Sequence, residues 1–166
     1  LDSAGKLFEQ GKIFLPQLIQ TASVAQAAFE VIKTTLIERN AAPVSRGEIV
    51  LATVKGDIHD IGKNIVRVLL ENYGYTVLDL GRDVPCQLVA DTAKEHGVKL
   101  VGLSALMTTT LGAMEETIQL VKASCPDCKI VVGGAVLTAD YAEKIGADYY
   151  AKDAMETVAV AKEVVG

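Results

Sequence analysis

From Glu48 onward, short apolar runs alternate with helical stretches, and glycines follow several of the helices. This alternation is typical of successive βαβ units, in which each helix returns the chain to begin another parallel strand. The predicted strands are 49–54, 76–80, 100–104, 130–132 and 148–151, and the predicted helices are 61–73, 87–96, 111–124, 139–145 and 154–164. We therefore expect an α/β domain with a five-stranded, parallel, doubly wound sheet of the flavodoxin-like Rossmann type.

Residues 1–40 carry a purely helical pattern. A short helix is predicted over 4–10, ending at Gly11, and a long amphipathic helix over 16–37. The apolar stripe of the long helix consists of Leu18, Ala22, Ala25, Phe29, Ile32 and Leu36. Two helices cannot bury such a stripe alone, and a bundle of about four helices is the usual arrangement. We therefore expect a helical cap at 1–40 that is a truncated bundle, a linker at 41–47 and the Rossmann-like domain at 48–166.

The surface that buries the apolar stripe of the long helix depends on whether further helices precede Leu1. The sequence begins with Leu rather than Met, so we expect it to be a fragment. Either helices upstream of Leu1 complete the bundle, or the long helix packs on the second domain.

Charge and composition exclude several classes of function. The formal net charge is −5, and no cluster of Lys and Arg supplies the footprint of a nucleic-acid binder. No apolar run approaches the roughly 20 residues of a membrane span, and the first residues have no signal pattern, so we expect a cytoplasmic protein without membrane contact. The C-x-x-C pair Cys125 and Cys128 has no second ligand pair, which favours a structural role over zinc or redox chemistry.

The loop after the first predicted strand, 54–64, has the most unusual composition in the chain. It lies where doubly wound sheets bind ligands, at the switch point beside the first strand. Gly56 and Gly62 flank two carboxylates and an imidazole, a mixture that repels phosphate and can hold a metal. Asp57 can orient His59 by accepting from one ring nitrogen. A single histidine suits a metal whose other coordination positions are filled by a macrocycle, whereas zinc usually has about four ligands. The alternative interpretation is that His59 is an ordinary solvated loop residue.

Three separated motifs carry a resemblance to a known family. They are D-x-H-x-x-G at Asp57, His59 and Gly62, S-x-L at Ser104 and Leu106, and G-G at Gly133 and Gly134. Together they resemble the signature of cobalamin-binding domains that take the cofactor base-off with histidine on. Residues 8–29 also resemble the helical cap of cobalamin-dependent methionine synthase and of corrinoid proteins in methanogen and acetogen methyltransferase systems. The run Ser104 to Thr110 is closer to the latter group.

The resemblance implies a role for each motif residue. His59 would bind cobalt, with Asp57 and Thr110 as its relay; methionine synthase has serine at the position of Thr110. The displaced nucleotide tail would pass Gly62, Gly102, Ser104, Gly133 and Gly134. Leu106 and Thr108 would line the lower corrin face, and Ile58, Asp60 and Ala135 would touch the ring edge or tail. Phe8 and Leu15 would shield the upper, methyl-bearing face.

The function implied by the resemblance is that of a methyl carrier. The cofactor would be cobalamin or a related corrinoid, cycling between methylcobalamin and a Co(I) form. The partners would be a methyl-donor methyltransferase and a methyl-acceptor methyltransferase, and a reductive activator could be a third. The chain is not expected to be catalytic alone. A fragment of methionine synthase and a cobalamin-dependent regulator are the alternatives. A phosphate-signalling receiver is disfavoured because the third strand ends in Ser104 instead of a phosphoacceptor Asp.

Overall fold

Five parallel strands form the central sheet of this computed structural model, which describes residues 2–38 and 45–166. The strands are β1 Glu48–Thr53, β2 Thr76–Asp79, β3 Leu100–Ser104, β4 Lys129–Gly133 and β5 Tyr149–Tyr150. Their order is β2-β1-β3-β4-β5, with every neighbouring pair parallel. The predicted fold class is confirmed. The order reverses at β1, so the loops that follow β1 and β3 face each other at the carboxyl edge of the sheet.

Helices cover both faces of the sheet. They are α1 Asp2–Glu9, α2 Leu15–Glu38, α3 Ile61–Asn72, α4 Cys86–His96, α5 Leu111–Ser124, α6 Ala139–Lys144 and α7 Ala154–Val164. Successive strand residues point to opposite faces, so Val50 and Ala52 pack with α4, α5 and α6, while Ile49 and Leu51 pack with α3 and α7. Both faces of the central strands are buried, as their nearly continuous apolar sequences predict.

The N-terminal helices pack on the α3 and α7 side of the sheet. Leu18 of α2 is 2% exposed, and Phe8 of α1 packs against the same apolar cluster. Of the predicted stripe on the long helix, only Leu18 has a side chain within the described part of the chain. Residues 39–44, which include most of the predicted linker, also lie outside it, so the domain boundary stays a prediction. None of the described helices is both long enough and apolar enough to cross a membrane.

Two local predictions differ from the structure. A single 3-10 turn, Thr108–Thr110, precedes α5 and was not predicted. Strand β5 is only two residues long instead of the predicted 148–151, because it is an edge strand whose only ladder partners are Val131 and Val132 of β4.

Candidate functional site

The loop after β1 holds Asp57 and His59 in direct contact. Asp57 is fully buried, whereas the His59 side chain is 46% exposed. One carboxylate oxygen of Asp57, Oδ1, accepts from the His59 backbone N–H at 3.0 Å and lies 2.8 Å from His59 Nδ1. A carboxylate at that distance favours the tautomer with the proton on Nδ1, which leaves Nε2 with a free lone pair. The imidazole is therefore oriented as a metal ligand commonly is, with its second nitrogen available.

The other oxygen of Asp57 joins the β1 loop to the segment after β3. Oδ2 accepts from the backbone N–H of Leu106 at 2.7 Å and of Met107 at 3.2 Å. The Thr110 hydroxyl lies 3.2 Å from the same oxygen and 2.8 Å from the Met107 carbonyl, and its single proton can serve one of them at a time. His59, Asp57 and Thr110 thus form one contiguous polar chain, as the resemblance implies.

Asp57 is an anion at neutral pH despite its burial. Desolvation raises its pKa, but hydrogen bonds outweigh that effect and lower the pKa to about 2. The backbone N–H groups of His59 and Leu106 contribute most to the lowering, followed by the His59 ring.

A cavity of about 480 Å³ lies beside this polar chain, between the N-terminal helices, α3, α7 and the carboxyl ends of β1, β3 and β4. Of the residues predicted to touch a cofactor, those in its wall are Phe8, Leu15, Gly62, Ser104, Gly133, Gly134 and Ala135. His59, Leu106 and Thr108 are not part of this wall. The predicted residues therefore divide into two neighbouring groups, one around the imidazole and one around the cavity.

Two glycines of the cavity wall differ in whether the surrounding structure would accept a side chain. A Cβ on Gly134, where φ is +141°, would lie 1.8 Å from the Ala105 carbonyl oxygen, so the backbone there excludes any side chain. A Cβ on Gly62 would meet no atom within 4 Å. The fold itself does not require glycine at 62, and its absent side chain leaves open space at the cavity.

Exposed apolar side chains lie around the imidazole. Ile58 is 59% exposed, Leu106 43% and Met107 40%. Asp60 precedes α3 without a capping hydrogen bond from its side chain, and Thr108 is exposed on the 3-10 turn. Clustered apolar exposure beside a metal-ligand geometry is expected where a large, flat, partly apolar ligand lies. The site as a whole fits a metal macrocycle with an elongated appendage in the cavity.

Two features of the site escaped sequence analysis. The backbone N–H groups of Leu106 and Met107 have no residue-type signature. Asp83, in the loop before α4, accepts a hydrogen bond at 2.7 Å from the Gly56 N–H, a contact across 27 residues that no local pattern indicates.

The C-x-x-C pair lies outside the site. Burial, with the neighbouring Cys125 and Asp148, raises the pKa of Cys128 to about 12, so its thiol is protonated at neutral pH. The described part of the chain contains no group of three or more His, Cys, Asp or Glu residues arranged to hold a metal. A metal bound at His59 would therefore find no second His, Cys, Asp or Glu pair to complete its coordination within the described residues.

Comparison with known proteins points to one family. Residues 47–159 match a profile described as a B12 binding domain, and residues 1–33 match a second B12 binding domain profile. Dimethylamine corrinoid protein 1 of Methanosarcina acetivorans is 44% identical over 99% of this chain and 78% of its own length. A cobalamin-binding protein from Desulfitobacterium hafniense has a TM-score of 0.83 at 37% identity, covering 98% of this chain and 76% of that one. The methanol:cobalamin methyltransferase complex of Methanosarcina barkeri has a TM-score of 0.84 at 32% identity, and the match covers 96% of this chain and 61% of that one.

Proposed function

The chain belongs to the family of B12 binding domain proteins, and from that membership we propose that it carries a methyl group on a corrinoid bound base-off, with His59 as the cobalt ligand. Its cofactor is cobalamin or a related corrinoid, and it is a corrinoid protein of the kind used by methyltransferase systems. A bound corrinoid supplies a cobalt atom that can hold and release a methyl group. The single observation that carries the proposal is the 2.8 Å contact between Asp57 Oδ1 and His59 Nδ1, which leaves Nε2 free.

In this proposal the protein orients His59 and sets the donor strength of its Nε2 toward the metal. Asp57 accepts a hydrogen bond from the His59 Nδ1–H, which increases electron donation from Nε2. The same carboxylate oxygen also holds the His59 backbone N–H, so it fixes the imidazole relative to its own loop. Thr110 would tune the hydrogen bonding of Asp57, because its hydroxyl can donate either to the Asp57 carboxylate or to the Met107 carbonyl.

The cavity beside the switch point is the proposed receptor for the displaced nucleotide tail. Its open space at Gly62 and the close backbone approach at Gly134 support a narrow organic occupant. Ser104 in its wall offers a hydroxyl to such a group. Phe8 and Leu15 are proposed to exclude water from the cofactor, and their position in the cavity wall supports contact with it.

Methyltransferase partners would supply and remove the methyl group. The names of the matched relatives, dimethylamine and trimethylamine corrinoid proteins, favour a methylamine as the donor. The solved methanol:cobalamin methyltransferase complex, at 32% identity, supports docking on a partner methyltransferase. We propose one partner for donation and a second for acceptance.

The ligand assignment is tested by electron paramagnetic resonance of the protein loaded with Co(II) cobalamin. Nitrogen-15 labelling of histidine alone should change the nitrogen splitting of the cobalt signal from a triplet to a doublet. An unchanged triplet would mean that the cofactor's own base remains the ligand. His59→Ala should abolish the labelled splitting, while the matched control His96→Ala should keep it, because His96 contacts Glu48 at 3.0 Å, the first residue of β1.

The carrier role is tested separately, by transfer of methyl from methylcobalamin-loaded protein to a thiol acceptor. Transfer should need an acceptor methyltransferase, and remethylation should need a donor methyltransferase with its methylamine. Transfer at the same rate by the loaded chain alone would contradict the carrier role.

A further inference from the structure

Asp83 is the only described residue other than glycine with a left-handed backbone. It lies in the loop between β2 and α4, is exposed, and has φ of 53°. Aspartate tolerates this conformation better than most residues, yet glycine would adopt it without strain. Because Asp83 is exposed, its contribution lies in the hydrogen bonds it makes rather than in core packing.

Two hydrogen bonds join Asp83 to the histidine loop. Its Oδ1 accepts from the Gly56 N–H at 2.7 Å, and its own backbone N–H donates to the Asp57 carbonyl at 2.9 Å. The adjacent pair Val54 and Val84 forms an isolated parallel bridge, so the two loops run side by side here. Asp83 therefore holds two successive residues, and the second of them orients His59.

The turn held by Asp83 is also packed from the other side. Gly56 has φ of +84°, and a Cβ there would lie 3.4 Å from the Thr110 Cγ2 methyl. The turn thus lies between Asp83 and Thr110. A shift of Gly56 would move Asp57 relative to Thr110 and to the imidazole, because Asp57 follows directly in the chain.

We propose that Asp83 is a positioning residue for the metal ligand: its carboxylate clamps the Gly56 turn and so sets the direction of His59 Nε2. This inference rests on the proposed function, in which His59 binds cobalt. Asp83 touches neither His59 nor, in this proposal, the cofactor. It acts through the Asp57 main chain, in addition to the side-chain contacts of Asp57 itself.

Three substitutions at residue 83 separate the clamp from the backbone conformation. Asp83→Gly removes the acceptor and relieves the strained φ, whereas Asp83→Ala removes the acceptor and keeps the strain. Asp83→Asn keeps an acceptor oxygen on a residue that also tolerates the left-handed region. Arg82→Ala is the matched control, since Arg82 is the exposed neighbour in the same loop.

The measurement is the ratio of histidine-ligated to histidine-free Co(II) cobalamin, read from the nitrogen-15 splitting, with apoprotein Tm recorded in parallel. Loss of one charge-assisted hydrogen bond should lower that ratio roughly tenfold in Asp83→Gly and Asp83→Ala. Asp83→Asn and Arg82→Ala should stay within about threefold of the wild-type ratio.

The outcomes distinguish this inference from the proposed function. If the wild-type protein shows no histidine nitrogen on cobalt, the proposed function fails. If the wild type shows it and Asp83→Gly retains the wild-type ratio, whatever its Tm, Asp83 does not position the ligand. The inference is equally overturned if Asp83→Asn loses ligation as fully as Asp83→Gly. Because Asp83→Gly carries no strained residue, it keeps the test decisive should Asp83→Ala fail to fold.

Discussion

Replacing Asp57 with asparagine should destabilise the folded apoprotein by about 2 kcal/mol at neutral pH. Asp57 accepts from three backbone N–H groups, those of His59, Leu106 and Met107, and the amide of asparagine can accept on only one side. Its NH2 group would face at least one buried N–H, and an unsatisfied buried donor costs about 1–3 kcal/mol.

The lowered pKa of Asp57, which reflects the same hydrogen bonds, corresponds to a similar magnitude. The pKa falls from an ordinary value of 3.8 to about 2 in the folded protein. At about 1.4 kcal/mol for each pKa unit, this difference contributes about 2 kcal/mol of stability. The folded pKa is the lower one, so the contribution is complete above the unfolded pKa and is lost as the pH falls toward about 2. At about pH 3, roughly half of it should remain.

Urea unfolding of wild type and Asp57→Asn, followed by circular dichroism at several pH values between about 3 and 7, measures this difference. The gap in unfolding free energy should narrow as the pH falls, because the amide does not titrate. Asp60→Asn is the control, since Asp60 makes no capping hydrogen bond, and it should change stability by less than about 0.5 kcal/mol. A gap below about 0.5 kcal/mol at neutral pH, or one that is constant with pH, would refute the reasoning.

Three further perturbations test other parts of the structure. Lys63→Met should lower the unfolding free energy by about 3 kcal/mol in a denaturant titration, because Lys63 is 3% exposed and donates to the largely buried Asp79 carboxylate. Asp79 would keep the Gly81 N–H at 2.9 Å and the half-exposed Arg67 at 3.3 Å, but would lose its buried cation. A neutral effect would mean that the ion pair is unimportant. Gly62→Ala should raise apoprotein stability by up to about 1 kcal/mol, because it is a helix substitution without steric conflict, and it should weaken cobalamin binding in equilibrium dialysis. Gly134→Ala should instead destabilise the apoprotein, because its Cβ would meet a backbone oxygen at 1.8 Å. Equal effects of the two substitutions on apoprotein stability would contradict this distinction. Cys128 should resist alkylation by iodoacetamide in the native protein at neutral pH and react after denaturation, because its pKa is raised to about 12, and mass spectrometry of the peptides would reveal any native labelling.

Local sequence patterns predicted the regular elements well. Strand β3 and helix α5 have the predicted bounds, because their apolar periodicity and length are local properties. The 3-10 turn at Thr108–Thr110 could not be predicted in the same way, since three consecutive threonines have little intrinsic preference for a helix. The length of β5 depends on how many residues of β4 pair with it, and that pairing is a tertiary property.

The site shows the same division. The pairing of Asp57 with His59 follows from two neighbouring residues and from chemistry that a sequence displays. The contacts of Asp57 with Leu106 and Met107 join residues 49 and 50 positions apart, and that of Asp83 with Gly56 joins residues 27 apart. Backbone donors carry no residue signature, so no motif indicates them.

The chemistry of the loop, a histidine beside a carboxylate between two glycines, could thus be read directly from the chain. Which groups converge on that loop was decided by the strand order β2-β1-β3, which brings the segments after three strands to one edge of the sheet. Short-range patterns specify each strand, but the order depends on which strands pair across long separations. The hydrogen bonds of Asp57 with Leu106 and Met107, and that of Asp83 with Gly56, are consequences of that pairing.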